Sequence, residues 1–194
     1  MIKINKKFYY PTSTRKIIDG KRHYLVGDEK LPSVTSILKA CESEEKKASL
    51  DAWRSRVGEA EATRITDNAA SRGTLMHTIL EGHILNRPVI DLTPEGQLAT
   101  KMARQIVDQG LTGKLEELWA AECVLFYPDM YAGASDGVGI YEGKEAIIDF
   151  KQTNKPKRKE WIEDYFLQLA GYAITHRPKP VSYTHLTLPT ILLV

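Results

Sequence analysis

Apolar residues follow two different periods along this chain, and the change falls near its middle. In the first half they mostly recur at helical intervals. In the second half they alternate or cluster in short runs. Before the helices, short β segments run from Lys7 to Gly27. Asp19-Gly20 between Arg15–Ile18 and His23–Val26 signals a hairpin. Ser33 is placed to cap a helix in which Val34, Ile37 and Leu38 share one face. Residues 44–72 contain no proline, and Trp53, Val57, Ala60 and Arg64 fall at helical spacing, which predicts one or two helices. Gly73 is expected to interrupt, with Thr74–Glu81 continuing as a further helix. Thr93-Pro94 starts an amphipathic run that reaches Gln109.

Beyond this point the pattern predicts three strands: Glu117–Tyr127, Tyr131–Tyr141 and Ala146–Lys151, with turns at Pro128-Asp129 and Glu142-Gly143. A basic loop follows, then a helix from about Lys159 to Thr175. Helices, a three-strand meander and a closing helix give an α/β (α+β) fold rather than a doubly wound sheet.

Composition alters this picture little. The chain has 194 residues, 42% of them hydrophobic and 27% charged, which suits one domain with a single substantial core. A formal net charge of +2 is too mild to argue for nucleic acid. Cys41 and Cys123 lie far apart without metal-ligand spacing, which argues against an iron–sulfur cluster or a structural zinc site. Nothing approaches the roughly 20 apolar residues of a membrane span, so the expectation is a cytoplasmic protein without a membrane partner. Residues 181–190 resemble the translation of a sequencing-library adapter. The expected native domain is therefore residues 1–180, incomplete at its C-terminus, with 181–194 non-native.

The candidate chemistry begins at Asp149 and Lys151. On a strand, residues i and i+2 point to one face, so these two charges project together while Ile148 and Phe150 point to the other. An isolated Asp-x-Lys is most simply an exposed ion pair. Asp136, beside glycine in the preceding strand, adds a second carboxylate within reach of a shared cation, and hard oxygen donors suit Mg2+ or Mn2+. On the predicted helix before Gly82, His77 and Glu81 share a face. In the last helix, Trp161, Tyr165, Gln168 and Tyr172 form one stripe, and Ile162, Phe166, Leu169 and Ala173 form another. An amide and a phenol in the first stripe suit a polar site better than a core.

Taken in order, His77, Asp136, Asp149-Phe150-Lys151 and Gln168-x-x-x-Tyr172 resemble the RecB-type branch of the PD-(D/E)XK nucleases. The nearest pattern is that of phage exonucleases and the mitochondrial genome-maintenance exonucleases. Leu31-Pro-Ser-Val-Thr-Ser-Ile-Leu38 and Glu160–Leu169 agree with it too. The resemblance covers nearly all of residues 8–176. It implies a restriction-endonuclease-like core: a central mixed sheet flanked by helices, with an N-terminal hairpin and a helical insertion. It implies a Mg2+-dependent (or Mn2+-dependent) DNA exonuclease without an iron–sulfur cluster, acting on single-stranded ends in phage replication, recombination or repair.

In that pattern His77, Asp136, Asp149 and the Phe150 carbonyl hold the metal, Lys151 completes the catalytic set with Asp136 and Asp149, and Gln168 and Tyr172 line the site. Lys155, Lys157 and Arg158, in the basic loop, are candidate contacts to the DNA backbone. Glu122 and Glu81 are candidate supporting acids. The alternatives are an endonuclease of the same fold and a catalytically silent DNA-binding module.

Overall fold

The structure is a computed structural model that describes residues 2–153 and 162–176, together with the backbone of 192–193. Its first feature is a meander. Strands β2 (Ser13–Ile18) and β3 (Lys21–Val26) pair antiparallel with Ile18 opposite Lys21, and β4 (Glu29–Pro32) pairs with β3. Asp19 and Gly20 both have positive φ, 50° and 71°, as the tight turn between twisted strands requires. The expected hairpin is therefore present.

Ser33 ends the meander and caps helix α1 (Val34–Ala40), its Oγ accepting from the Ser36 N–H at 3.0 Å. Two helices follow, α2 (Glu44–Val57) and α3 (Glu59–Ile84). The chain breaks between them at Gly58, whose φ of 87° suits glycine. Gly73, by contrast, lies inside α3 without interrupting it, which corrects the expected break. A Cβ at Gly73 would stand 2.9 Å from the Gln152 side-chain nitrogen, so glycine serves here for close approach. Thr93 caps α4 (Pro94–Ile106), with proline in its first turn, and a π-helical turn (Val107–Leu111) carries the chain on past the expected end at Gln109.

The central sheet holds four strands in the order β1-β5-β6-β7. β1 (Lys3–Ile4) runs parallel to β5 (Leu115–Tyr127), while β6 (Tyr131–Tyr141) and β7 (Lys144–Ile148) add antiparallel, so the sheet is mixed. The expected third strand stops at Ile148. Pairing resumes only in β8 (Lys151–Gln152), beside which β9 (Leu192–Leu193) runs parallel. The reason for the gap is visible at Phe150, whose backbone N–H is donated to the Asp136 carboxylate instead of to a strand. Helix α5 (Glu163–Thr175) is the last described helix; Trp161 and the tail at 181–190 lie outside the described residues.

Alternation sends the sheet's apolar residues to both faces. Leu118, Ile148 and Phe150 meet Met76, Leu80 and Ile84 of α3 and Ala103 and Ile106 of α4. Trp119, Val138 and Ile147 meet Val34 of α1 and Leu169, Tyr172 and Ala173 of α5. Leu80 and Met76 are fully buried, and each such side chain contributes about 1.5–3 kcal/mol. Helices thus flank a mixed sheet on both sides, as expected of an α+β nuclease-like core. A smaller cluster of Tyr24, Val26 and Leu31 pins the N-terminal meander to Val124 and Ala132.

Candidate active site

Five segments converge on one cleft of about 450 Å3. The buried half of α3 brings His77 and, one turn on, Glu81. β5 brings Glu122, β6 brings Asp136, the gap after β7 and the start of β8 bring Asp149 and Lys151, and α5 brings Gln168 and Tyr172. Every individually named candidate side chain within the described residues therefore reaches the same place. Lys155, Lys157 and Arg158 fall outside those residues.

Asp136 sits at the centre and is 9% exposed. One of its oxygens lies 3.0 Å from His77 Nδ1 and the other accepts the Phe150 N–H, so a helix and a loop are both referred to one carboxylate. Next to it, the Ser135 hydroxyl is 2.9 Å from the Gly137 carbonyl and 3.1 Å from that of Ile148, which ties the end of β7 to β6.

Glu122 faces Asp136. The pairs on either side, Ala121 with Gly137 and Cys123 with Ser135, set that register. Its backbone has φ of +47°, the left-handed conformation that glutamate rarely adopts. Among the described residues the other non-glycine positions with positive φ (Asp19, Asn86, Asp129 and Glu142) sit in turns, so there Glu122 alone carries this strain inside a strand. Side-chain oxygens of Glu122 and Asp136 and a ring nitrogen of His77 lie within 4.8 Å of one another, close enough to ligate one ion. One imidazole with two carboxylates is a donor set that suits a divalent cation.

The electrostatics reflect this crowding. Glu122 is open to solvent on one side, yet partial burial and then the Asp136 charge raise its pKa to about 7. For His77, burial acts to lower the pKa, but the Asp136 hydrogen bond and the charges of Asp136, Asp149 and Glu122 outweigh it and leave it raised. Asp149, 6% exposed, is raised by burial and by Asp136, against the lowering effect of Lys151 and His77.

Asp149 is held from two sides. One oxygen accepts from the Lys151 ammonium, the other from Gln168 Nε2 at 3.1 Å. The same amide nitrogen donates to the Tyr172 hydroxyl at 3.0 Å, and burial raises the Tyr172 pKa, which keeps that phenol neutral. Lys151 Nζ also lies 5.5 Å from the Tyr165 ring centre. On the far side of β8, Gln152 accepts from Arg72 Nε at 2.8 Å and donates to the Ala69 carbonyl, fastening the strand to α3.

Several residues lining the cleft are not assigned to the site by the sequence reading: Arg15, Arg22 and Tyr24 of the hairpin, Ser33 and Thr35 (read there only as a helix cap and part of a motif), and Gly133 beneath Tyr172. Alternation in the hairpin gives Arg15 and Arg22 a common face, but only docking of the hairpin shows that this face meets the cleft. A larger cavity, about 680 Å3, lies between residues 4–13 and the outer side of β5 and shares only Glu122 with the residues above.

Among the described residues, no helix is long and apolar enough to cross a membrane. No protein-family model matches the chain. Over 150 residues, 73% of its length, it is 26% identical to mitochondrial genome maintenance exonuclease 1 of Homo sapiens, and it spans 42% of that protein. The chain thus carries a distant sequence relationship to an exonuclease.

Proposed function

We infer that the chain hydrolyses DNA phosphodiester bonds as a metal-dependent exonuclease of the RecB-type PD-(D/E)XK branch. Phage replication, recombination or repair is the proposed setting, with single-stranded ends as substrate. One observation carries the reading: an imidazole, two clustered carboxylates and the Asp149–Lys151 ion pair share one cleft. The distant exonuclease relationship supports it.

His77, Glu122 and Asp136 would hold Mg2+ or Mn2+, with Asp149 and the Phe150 carbonyl as further donors. When bound by these residues, a divalent cation would supply Lewis acidity towards the phosphate and towards an attacking water. The remaining work belongs to the chain. The Phe150 N–H and His77 fix the Asp136 carboxylate, so its donor direction is set before substrate arrives. Gln168 and Tyr172 fix Asp149, and Asp149 in turn fixes the Lys151 ammonium. Lys151 donates to the phosphate or to the attacking water as negative charge builds, which is the electrostatic part of the rate.

The test is digestion of end-labelled single- and double-stranded DNA with and without a chelator. Cleavage is expected to require the cation and to fall by about 10²–10³ in Lys151→Ala, the usual cost of one such donor. Undiminished cleavage in Lys151→Ala would sink the mechanism. Digestion of circular single strands would convert the reading to an endonuclease.

A further inference from the structure

The β2–β3 hairpin packs one face on the core only at its base. Its register, Ser13 with Val26, Arg15 with Tyr24 and Ile17 with Arg22, gives these six residues one common face. At the base of that face Tyr24 and Val26 are 4% and 5% exposed and pack on Val124 and Ala132. Towards the Asp19-Gly20 turn the face changes character. Ile17 is 67% exposed, and Arg15 and Arg22 stand open to solvent along the wall of the cleft that holds Asp136, Asp149 and Lys151.

Arg22 has a fixed origin. Its carbonyl accepts from the Ser33 N–H at 2.9 Å and the Ser36 hydroxyl at 3.3 Å, and its own N–H lies 3.2 Å from that hydroxyl. Its guanidinium has no such restraint. Among the described residues neither Arg15 nor Arg22 uses its side chain in a hydrogen bond or an ion pair, although Glu81, Glu122, Asp136 and Asp149 line the same cleft. Arg54 and Arg64 pair with Glu59 and Glu61, and Arg72 bonds Gln152, whereas the side chains of Arg56, Arg87 and Arg104 are as unbonded as those of Arg15 and Arg22 among the described residues but do not line the acidic cleft. Two arginines left unpaired beside so much negative charge are placed for a ligand rather than for the fold.

The geometry points to a phosphodiester subsite. Arg15 and Arg22 grip the DNA backbone next to the bond being cut, without regard to base sequence. The chemistry favours this ligand because a guanidinium offers a planar fork of donors that matches two phosphate oxygens and is weakly hydrated compared with an ammonium. The layout favours it as well. Carboxylates on the floor attract a cation, cations on the wall attract a polyanion, and a nucleic-acid strand lying between them satisfies both. This subsite rests on the nuclease reading given above.

The experiment uses fluorescence anisotropy of a labelled DNA duplex with a single-stranded tail, in the Lys151→Ala background so that the probe stays intact. Affinity is measured across a salt series for Arg15→Gln/Arg22→Gln and for Lys16→Gln, which removes a charge from the opposite face of the same hairpin. Each lost phosphate contact removes about 0.7–0.9 from the slope of log affinity against log salt. The double variant is therefore expected to be shallower by about 1.4–1.8 at unchanged melting temperature, while Lys16→Gln keeps the parent slope. Arg15→Lys/Arg22→Lys should restore the slope.

An unchanged slope in the double variant, or an equal loss in Lys16→Gln, overturns the subsite. The nuclease reading fails separately, through absence of cation-dependent cleavage by the unsubstituted chain. A chain that binds no DNA overturns both.

Discussion

At φ +47° the Glu122 backbone holds the left-handed conformation in the middle of β5, opposite Asp136, where an ordinary strand residue would have served the sheet better. That strain, of order 1–3 kcal/mol, accompanies the gathering of two carboxylates and an imidazole into one small volume and must be offset by the rest of the fold. A titration consequence follows. A cation at these donors needs Glu122 ionised and His77 neutral, and both groups have raised pKa values, Glu122 to about 7. Protons therefore compete with the metal on the acid side, and affinity is lost as pH falls through about 7. Calorimetric titration of Mn2+ should show tighter binding at pH 8 than at pH 6, with proton release revealed by an observed heat that varies with the ionisation enthalpy of the buffer. Glu122→Gln should weaken binding and flatten that dependence. Equal affinity at the two pH values would remove Glu122 from the ligand set.

Elements act on the site mainly through how closely they pack. Gly133 in β6 lies beneath Tyr172 of α5, and a Cβ there would overlap the phenol ring, which is 2% exposed and has nowhere to go. Gly133→Ala should cost about 1–3 kcal/mol, as overpacking does, and should also slow cleavage, because displacing Tyr172 releases Gln168 and then Asp149. Gly171, in α5 itself, has only ordinary contacts near 3.7 Å to Val34, so Gly171→Ala should stabilise the protein by up to about 1 kcal/mol. Thermal melts of the two variants should move in opposite directions.

Such pairs mark what sequence can convey. The Asp19-Gly20 turn, the Ser33 and Thr93 caps and the β5–β7 meander were legible because each depends on local chemistry. Asp136, Asp149 and Lys151 were legible through an ordered motif. Gly73 looks like an interruption in sequence because its reason is the Gln152 amide, far away in the chain. The stop at Ile148 was missed because a side chain, Asp136, takes the Phe150 N–H. Sequence alone presents Glu122 only as a supporting acid, since no residue pattern announces a left-handed glutamate.

Across the whole molecule, burial is distributed unevenly. Two apolar layers clasp the central sheet, and the C-terminal half of α3 is built into one of them through Met76, Ile79, Leu80 and Ile84. Helix α2 stands outside this arrangement. None of its residues is buried, and its described polar tethers are surface ion pairs of Lys46 with Glu42 and Asp164 and of Arg54 with Glu59. Pairs of that kind contribute at most about 1 kcal/mol each and weaken in salt. Gly58 separates α2 from α3 with a backbone turn that transmits no helix cooperativity. The unfolding of α2 is therefore expected to be uncoupled from that of the sheet. Its amides should exchange with deuterium orders of magnitude faster than those around Leu80, and faster still at high ionic strength, by a local opening that leaves the rest of the protein closed. Uniform exchange along α2 and α3 would mean that the two helices melt as one unit.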